Sequence, residues 1–213
     1  MSRRGLAIAV GALAWVALVA CSEGDEEGRD DPVSSETIPA SAPTDGELLC
    51  DFVPRDSVVL ALGRDEFEVT RGEVLREPKG ALQGASCALA PTGTDYEMLT
   101  VDVAHPMGYV GSVFEDALAD TERYAQLPEE IGVGVYQKDP IGRRPGGEKG
   151  PVGFAQLSRG NWLVSVYIVL PADGRDSSAD AVALVQQVVD TLEISDEWTL
   201  RGDPPSWFTD NSA

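Results

Sequence analysis

The sequence predicts a single α+β domain in which about three helices pack on a mostly antiparallel sheet. The predicted elements follow the order helix, strands, helix, strands, helix, and strands in runs favour antiparallel pairing over repeated βα units. The segment 161–170, "NWLVSVYIVL", is mostly apolar on both alternating faces, which is typical of a central strand covered on both sides. A 3.6-residue apolar period after Ser177 predicts an amphipathic helix that packs on this sheet.

The first half of the domain is predicted to contain one helix and a run of short strands. A helix is expected over 54–62, because Pro54 suits a first helical turn and Gly63 can end the helix. Extended stretches are then expected at 66–70, 72–76, 86–89 and 97–103. The last stretch alternates, with Leu99, Val101 and Val103 on one side.

The second half repeats the alternation of helix and strands. A helix is expected from Ser112, because Ser112 and Glu115 have the spacing of a capping box. Strands are expected at 133–137, 152–157 and 161–170, followed by a helix capped by Ser177 and Asp180. The apolar stripe of this last helix consists of Ala181, Leu184, Val185, Val188 and Leu192. The globular domain therefore spans 47–195, and 196–213 form a C-terminal tail.

The N-terminus has the layout of a secretory signal peptide. Arg3 and Arg4 precede an uncharged run from Leu6 to Val19, and small residues follow before Cys21. The run is shorter than the roughly 20 residues that a membrane-spanning helix needs. The pair Arg3-Arg4 leaves open whether export follows the general secretory or the twin-arginine route.

Cys21 stands where a lipoprotein signal is cleaved. The residues Leu18-Val19-Ala20-Cys21 resemble the lipobox of bacterial lipoproteins, in which the cysteine thiol takes a diacylglyceryl group and becomes the first residue after cleavage. We therefore expect 1–20 to be a lipoprotein signal peptide and Cys21 to carry acyl chains such as palmitate. Two chains suffice for stable anchoring, which predicts a protein held at the extracytoplasmic face of the cell membrane.

Charge and composition define a tether and exclude some partners. The segment 22–46 contains eight acidic residues and one arginine, with several Ser and Pro and no aromatic residue, so we expect it to be disordered. The chain has a formal net charge of −20, and loss of Arg3 and Arg4 with the signal peptide makes it −22. Phosphate backbones repel such a protein, so nucleic acid is not expected as a partner.

Cys50 and Cys87 are the two cysteines that remain after lipidation of Cys21. An even pair in an exported chain predicts a disulfide. A zinc site is the rival interpretation, but it needs two more ligands, and His105 is the only histidine. We therefore expect no metal and no cofactor.

A resemblance to a known family rests on this cysteine frame. Cys50, a short helix ending in "ALG" at 61–63, and Cys87 before a strand resemble the DUF3558-like lipoproteins of actinobacterial cell envelopes. The lipobox and the acidic tether fit that setting. The resemblance implies an extracytoplasmic lipoprotein with one disulfide, and it supplies no catalytic residues.

The sequence offers no clear catalytic motif. A serine triad would depend on His105, which follows a predicted strand and precedes Pro106 as a turn residue would. No Gly-x-Ser-x-Gly motif is present. Acidic pairs such as Asp65-Glu66 and Glu129-Glu130 are too numerous to single out a glycosidase pair. We expect a non-catalytic binding or interaction module, and the alternative is a cell-envelope hydrolase with an acidic site.

A basic loop departs from the acidic character of the chain. The segment 137–153 is rich in Gly and Pro and carries Lys138, Arg143, Arg144 and Lys149. One interpretation is a solvated hairpin loop. The other is a contact loop for an anionic partner, either an envelope protein or an anionic wall polymer, because arginine can bind carboxylate or phosphate through paired donors.

The lipobox generates a first prediction. Mass spectrometry of the membrane fraction is expected to find an acylated cysteine, Cys21, at the N-terminus of the mature chain. A Cys21→Ser variant is expected to lose both the acylation and the processing before residue 21. Processing at the same bond in this variant, with the protein still in the membrane after a high-salt wash, would refute the prediction.

Overall fold

The computed structural model describes residues 37–143, 147 and 149–197. Three helices lie in this range: α1 (Arg55–Leu62), α2 (Tyr109–Ala119) and α3 (Ser177–Thr191). A seven-stranded sheet contains β3 (Phe67–Arg76), β4 (Leu82–Pro91), β5 (Leu99–Ala104), β6 (Tyr124–Gln126), β7 (Gly134–Gln137), β10 (Gly153–Arg159) and β11 (Trp162–Ile168). Two short ribbons pair β1 (Leu48–Leu49) with β2 (Val53–Pro54), and β8 (Ile141–Arg143) with β9 (Lys149–Pro151).

The strand order is β3-β4-β5-β11-β10-β7-β6, and every neighbouring pair is antiparallel. Two halves, β3–β4–β5 and β6–β7–β10–β11, therefore meet at the pairing of β5 with β11. This arrangement confirms the predicted single α+β domain with a mostly antiparallel sheet and three helices. It also confirms that the strand within 161–170 is central, since β11 is fourth in the order of seven.

The main core lies between one face of the sheet and the helices α1 and α3. The strands contribute alternate residues such as Val101, Val164 and Val166, all fully buried, and α3 contributes Leu184 and Val188. The apolar stripe predicted for the last helix is buried throughout. Helix α3 packs closely on β10, where an added Cβ at Gly153 would clash with the Ser177 backbone carbonyl.

The structure corrects how two helices begin. Helix α2 starts at Tyr109 after Gly108, and the Ser112 hydroxyl donates to the Tyr109 carbonyl 2.9 Å away, so Ser112 is inside the first turn and is not a cap. Helix α3 is capped by Asp176, whose carboxylate accepts from the backbone N–H groups of Ser178 and Ala179. The predicted cap residue Asp180 instead accepts from Arg175 at 2.6 Å in a buried ion pair.

The predicted strands 66–70 and 72–76 form one strand, β3. An irregularity in pairing between Val69 and Arg71 leaves Thr70 without a directly opposed residue in β4. Such a bulge bends a strand and ends its strict alternation. The sequence pattern is therefore broken at the same place, which explains the prediction of two strands.

The predicted disulfide joins Cys50 to Cys87, with the two Cα atoms 5.8 Å apart. Cys87 is fully buried in β4, whereas Cys50 lies in the turn between β1 and β2, where its φ of 53° is in the left-handed region. Strand β3 passes close to the disulfide, as shown by Gly72, where an added Cβ would lie 3.0 Å from the Cys50 sulfur. The bond thus fixes the start of the domain to the sheet.

Residues 37–41 belong to the segment 22–46 that the sequence predicts to be a disordered tether, but they lie against α3, so the prediction of disorder is wrong for these residues. Ile38 is buried in the main core. The buried side chain of Gln187 donates from Nε2 to the backbone carbonyls of Pro39 at 2.7 Å and Ser41 at 3.3 Å. Residues 37–41 therefore belong to the α3 side of the domain.

Loss of the disulfide is expected to destabilise the domain strongly. The bond closes a separation of 37 residues, and in the loop-entropy model such a closure contributes about 4 kcal/mol to the free energy of unfolding. Denaturant unfolding of a Cys50→Ala/Cys87→Ala variant is expected to show a loss of this size. Reduction of the wild-type chain serves as the control and should give a similar loss. A difference below about 1 kcal/mol in both experiments would contradict the prediction.

Candidate binding surface on the outer face of the sheet

The sheet has an inner face, which packs on α1 and α3, and an outer face, which α2 covers only in part. Phe114 and Ala117 of α2 pack on Val135 and Leu163 in a second, smaller core. These contacts involve the β11–β10–β7 side of the sheet. Among the described residues, this second core includes no residue of β4 or β5.

A polar row crosses four strands of the outer face. It consists of Ser86, Asp102, Ser165 and Gln156, which are directly opposed in successive strand pairs, and we call it the outer-face row. The Ser86 hydroxyl donates to Asp102 Oδ1 at 2.9 Å, and Gln156 Nε2 donates to Ser165 Oγ at 2.9 Å. Two hydrogen bonds thus order the row along its length.

The outer-face row keeps hydrogen-bonding capacity after these bonds are formed. The Asp102 side chain is 50% exposed, and a carboxylate has about four lone-pair sites. The Ser165 hydroxyl accepts from Gln156, which leaves its O–H as a donor. Gln156 is 8% exposed, and its Oε1 has no hydrogen-bond partner among the described residues. Most buried polar atoms in folded proteins have a partner, so this acceptor is unusual.

Charged groups border the outer-face row at its β3 end. Arg71 Nη2 lies 3.9 Å from Glu97 Oε1 and 3.8 Å from Asp102 Oδ1, and Glu73 is opposed to Ser86. These side chains are about half exposed, so solvent screens the ion pairs and each contributes little to stability. The acids outnumber the arginine, and the border is therefore acidic.

Aromatic side chains line the other end of the outer face. Phe154 lies between Tyr124, with ring centroids 5.6 Å apart, and Tyr167, with centroids 6.3 Å apart in an edge-on arrangement. Phe154 and Tyr124 pack against the second core, whereas Tyr167 is exposed. An exposed ring next to polar groups can contact the apolar side of a ligand that the polar groups bind.

Exposed apolar residues cluster where α2 begins. Met107, Tyr109, Val110 and Val113 are all exposed, and Tyr109 is 82% exposed. They lie within seven consecutive positions, 107–113.

The structure describes only part of the predicted contact loop. The β8–β9 ribbon confirms a hairpin, in which Arg143 is paired with Lys149 through the backbone. Lys138 is exposed, and its Nζ donates to the Thr121 carbonyl at 2.7 Å. Lys149 is exposed as well. The Arg143 side chain and all of Arg144 lie outside the described residues.

The structure assigns no chemical role to the other residues that the sequence singles out. Cys21, the signal peptide and the tail from residue 198 lie outside the described part of the chain. His105 follows β5, its Nδ1 lies 3.0 Å from the Asn161 carbonyl, and its ring stacks on Trp162 with centroids 4.1 Å apart. These contacts hold the histidine at the end of the central strands.

The described residues include neither a cluster of metal ligands nor a helix that could span a membrane. Residues 37–143 and 149–197 contain no group of three or more His, Cys, Asp or Glu side chains that could hold a metal ion. The longest helix in the same ranges, α3, has 15 residues, and none of the helices there is long and apolar enough to cross a bilayer.

The sequence pattern alone does not predict the outer-face row. The alternation of "LTVDVA" at 99–104 does place Thr100 and Asp102 opposite the core residues. The alternation therefore predicts which side chains of β5 lie on the outer face. The opposition of Asp102 to Ser165 depends on pairing between β5 and β11, and the sequence does not specify which strands are neighbours.

Comparison with known proteins gives no match: no family model, no curated protein and no solved structure is significantly similar to this chain.

Proposed function

We propose that this chain is a lipid-anchored, extracytoplasmic lipoprotein of the cell envelope that acts as a non-catalytic binding module, of the kind that its resemblance to DUF3558-like lipoproteins implies. Its ligand lies on the outer face of the sheet. The proposal has two parts, the anchor and the binding surface, which rest on different observations.

The anchor rests on the sequence before the folded domain. The lipobox at 18–21 follows a signal segment with Arg3 and Arg4 at its start, and the acidic segment after it cannot be held at an anionic membrane by charge. The Cys50–Cys87 disulfide is consistent with an oxidising compartment. The acyl chains on Cys21 would then hold the domain at the extracytoplasmic face of the cell membrane.

The binding surface rests on the ordered outer-face row, in which the Asp102 side chain is half exposed. Polar side chains that are already fixed by hydrogen bonds lose little conformational entropy when a ligand binds. Asp102 and Ser165 offer an acceptor and a donor, and Tyr167 offers a ring next to them. This combination suits a ligand with hydroxyl or amide groups, such as a wall polymer or an extended segment of an envelope protein.

An anionic group on the same ligand would need a separate contact, because Glu73, Glu97 and Asp102 make the β3 end of the surface acidic. In the sequence of the globular domain, the segment 138–149 has the highest density of basic residues. We assign to Lys138, Arg143, Arg144 and Lys149 the contact with an anionic wall polymer or an acidic envelope protein.

The outer-face row predicts that loss of the Asp102 charge weakens binding to cell envelopes. An Asp102→Asn substitution keeps an acceptor for Ser86 but removes the carboxylate, so binding of the chain to isolated cell envelopes is expected to weaken about tenfold. Glu129→Gln removes an exposed carboxylate on the loop between β6 and β7 and serves as the matched control. Co-sedimentation with envelopes stripped of the native protein measures the affinity. Equal binding by the Asp102→Asn and Glu129→Gln chains would argue against this surface.

The basic loop predicts a salt-dependent contact. An Arg143→Ala/Arg144→Ala chain is expected to keep its unfolding midpoint and to bind envelopes more weakly, with the largest loss at low salt, because exposed charges are screened as ionic strength rises. The same co-sedimentation assay over a salt series measures this effect. An affinity equal to that of the wild-type chain at every salt concentration would leave the loop as a solvated hairpin.

A further inference from the structure

One edge of the main sheet is long and open. Strand β3 ends the sheet, has ten residues, and all of them except Phe67 and Val74 are exposed. No strand in the described part of the chain pairs with its outer edge. The opposite edge, β6, has only three residues. A long edge strand offers unpaired backbone N–H and C=O groups to another strand.

Edges of this kind are often protected by charges and bulges, and β3 has both. The bulge lies at Val69–Arg71, and the charged residues are Glu68, Arg71, Glu73 and Arg76. The two acids and two bases balance, although the whole chain has 36 acidic and 16 basic residues. The charges of the strand itself therefore sum to zero on a strongly acidic protein, although Glu97 and Asp102 beside it are acidic. A second copy that pairs with the strand meets no net charge on the strand.

The charges on β3 are also self-complementary. Arg71 through Leu75 pair with β4 without a break until the next irregularity, and both Arg71 and Glu73 belong to the outer face. If two copies of β3 pair antiparallel about a two-fold axis through Gly72, Arg71 of each copy is directly opposite Glu73 of the other. Opposite charges in directly opposed positions stabilise a strand pair, and like charges destabilise it. An axis through Glu73 would instead oppose two carboxylates.

We propose that β3 is a self-association edge, which pairs antiparallel with β3 of a second copy about an axis at Gly72. Gly72 is exposed and has no side chain, and Cys50 lies behind it on the inner side. The exposed apolar residues Val69 and Leu75 lie on either side of the axis. The two sheets would then continue as one, with their outer faces side by side.

The association is expected to be weak, because one strand pair buries little surface compared with a standard interface. Confinement of both copies to one membrane would raise their effective concentration and strengthen the pairing. The edge itself does not depend on the proposed anchor or on a ligand, so its test does not depend on them either.

The test reverses the charges of Arg71 and Glu73, first singly and then together. Sedimentation velocity of the full-length chain in a non-ionic detergent, over a concentration series, is expected to show a monomer–dimer equilibrium. Arg71→Glu and Glu73→Arg, made singly, are each expected to raise the dissociation constant about tenfold, because like charges then face each other twice. The Arg71→Glu/Glu73→Arg chain is expected to dimerise like the wild type. It is not expected to pair with the wild-type chain, because like charges face each other in the mixed dimer.

Matched controls separate this effect from a change in net charge. Arg123→Glu and Glu129→Arg change the net charge by the same amounts at exposed positions away from β3, and both are expected to leave the dissociation constant unchanged. A wild-type chain that stays monomeric at every concentration would overturn the proposal. So would a double exchange that fails to restore dimerisation while its circular dichroism and unfolding midpoint match those of the wild type.

Discussion

The pairing of β5 with β11 is the interaction on which the rest of the structure depends. It joins residues 99–104 to residues 163–168, and it connects two halves that are otherwise built from pairings between strands close in sequence. Its register places Val101 opposite Val166, and so aligns the apolar faces of both halves into one surface for α1 and α3. The two strands are far apart in sequence, so the loop-closure entropy of their pairing must be overcome before the core forms. We therefore expect this pairing to be a late step of folding.

The same register creates the outer-face row. Side chains alternate between faces along a strand, so the residues between the core positions must point to the other side. Where α2 covers that side, the intervening residues are apolar, as at Leu163 and Val135. Outside this second core, they are Ser86, Asp102 and Ser165. One central strand, β11, thus contributes both to the second core and to the polar surface, which explains why both of its faces read as largely apolar.

The two borders of the sheet are fixed in different ways. At β3 the bulge, the balanced charges and Gly72 lie on an edge with no partner strand among the described residues, and the nearby disulfide fixes the turn that carries Cys50. On the opposite side of the main core, Gln187 fixes residues 39–41 against α3. Residues 39–41 therefore lie on the side of the sheet opposite the outer-face row.

The sequence by itself determined the fold class, the two-cysteine frame and the central position of β11, because these depend on local periodicity, on residue counts and on the apolar character of one segment. It also located most strands to within a few residues. Only the tertiary structure decided which strands are neighbours, and with them the outer-face row and the open edge at β3. It also decided the helix starts at Tyr109 and Ser177, since several residues near each start can act as a cap and packing selects among them. The reason is physical: alternation specifies a face, whereas pairing between distant strands depends on contacts that no local pattern contains.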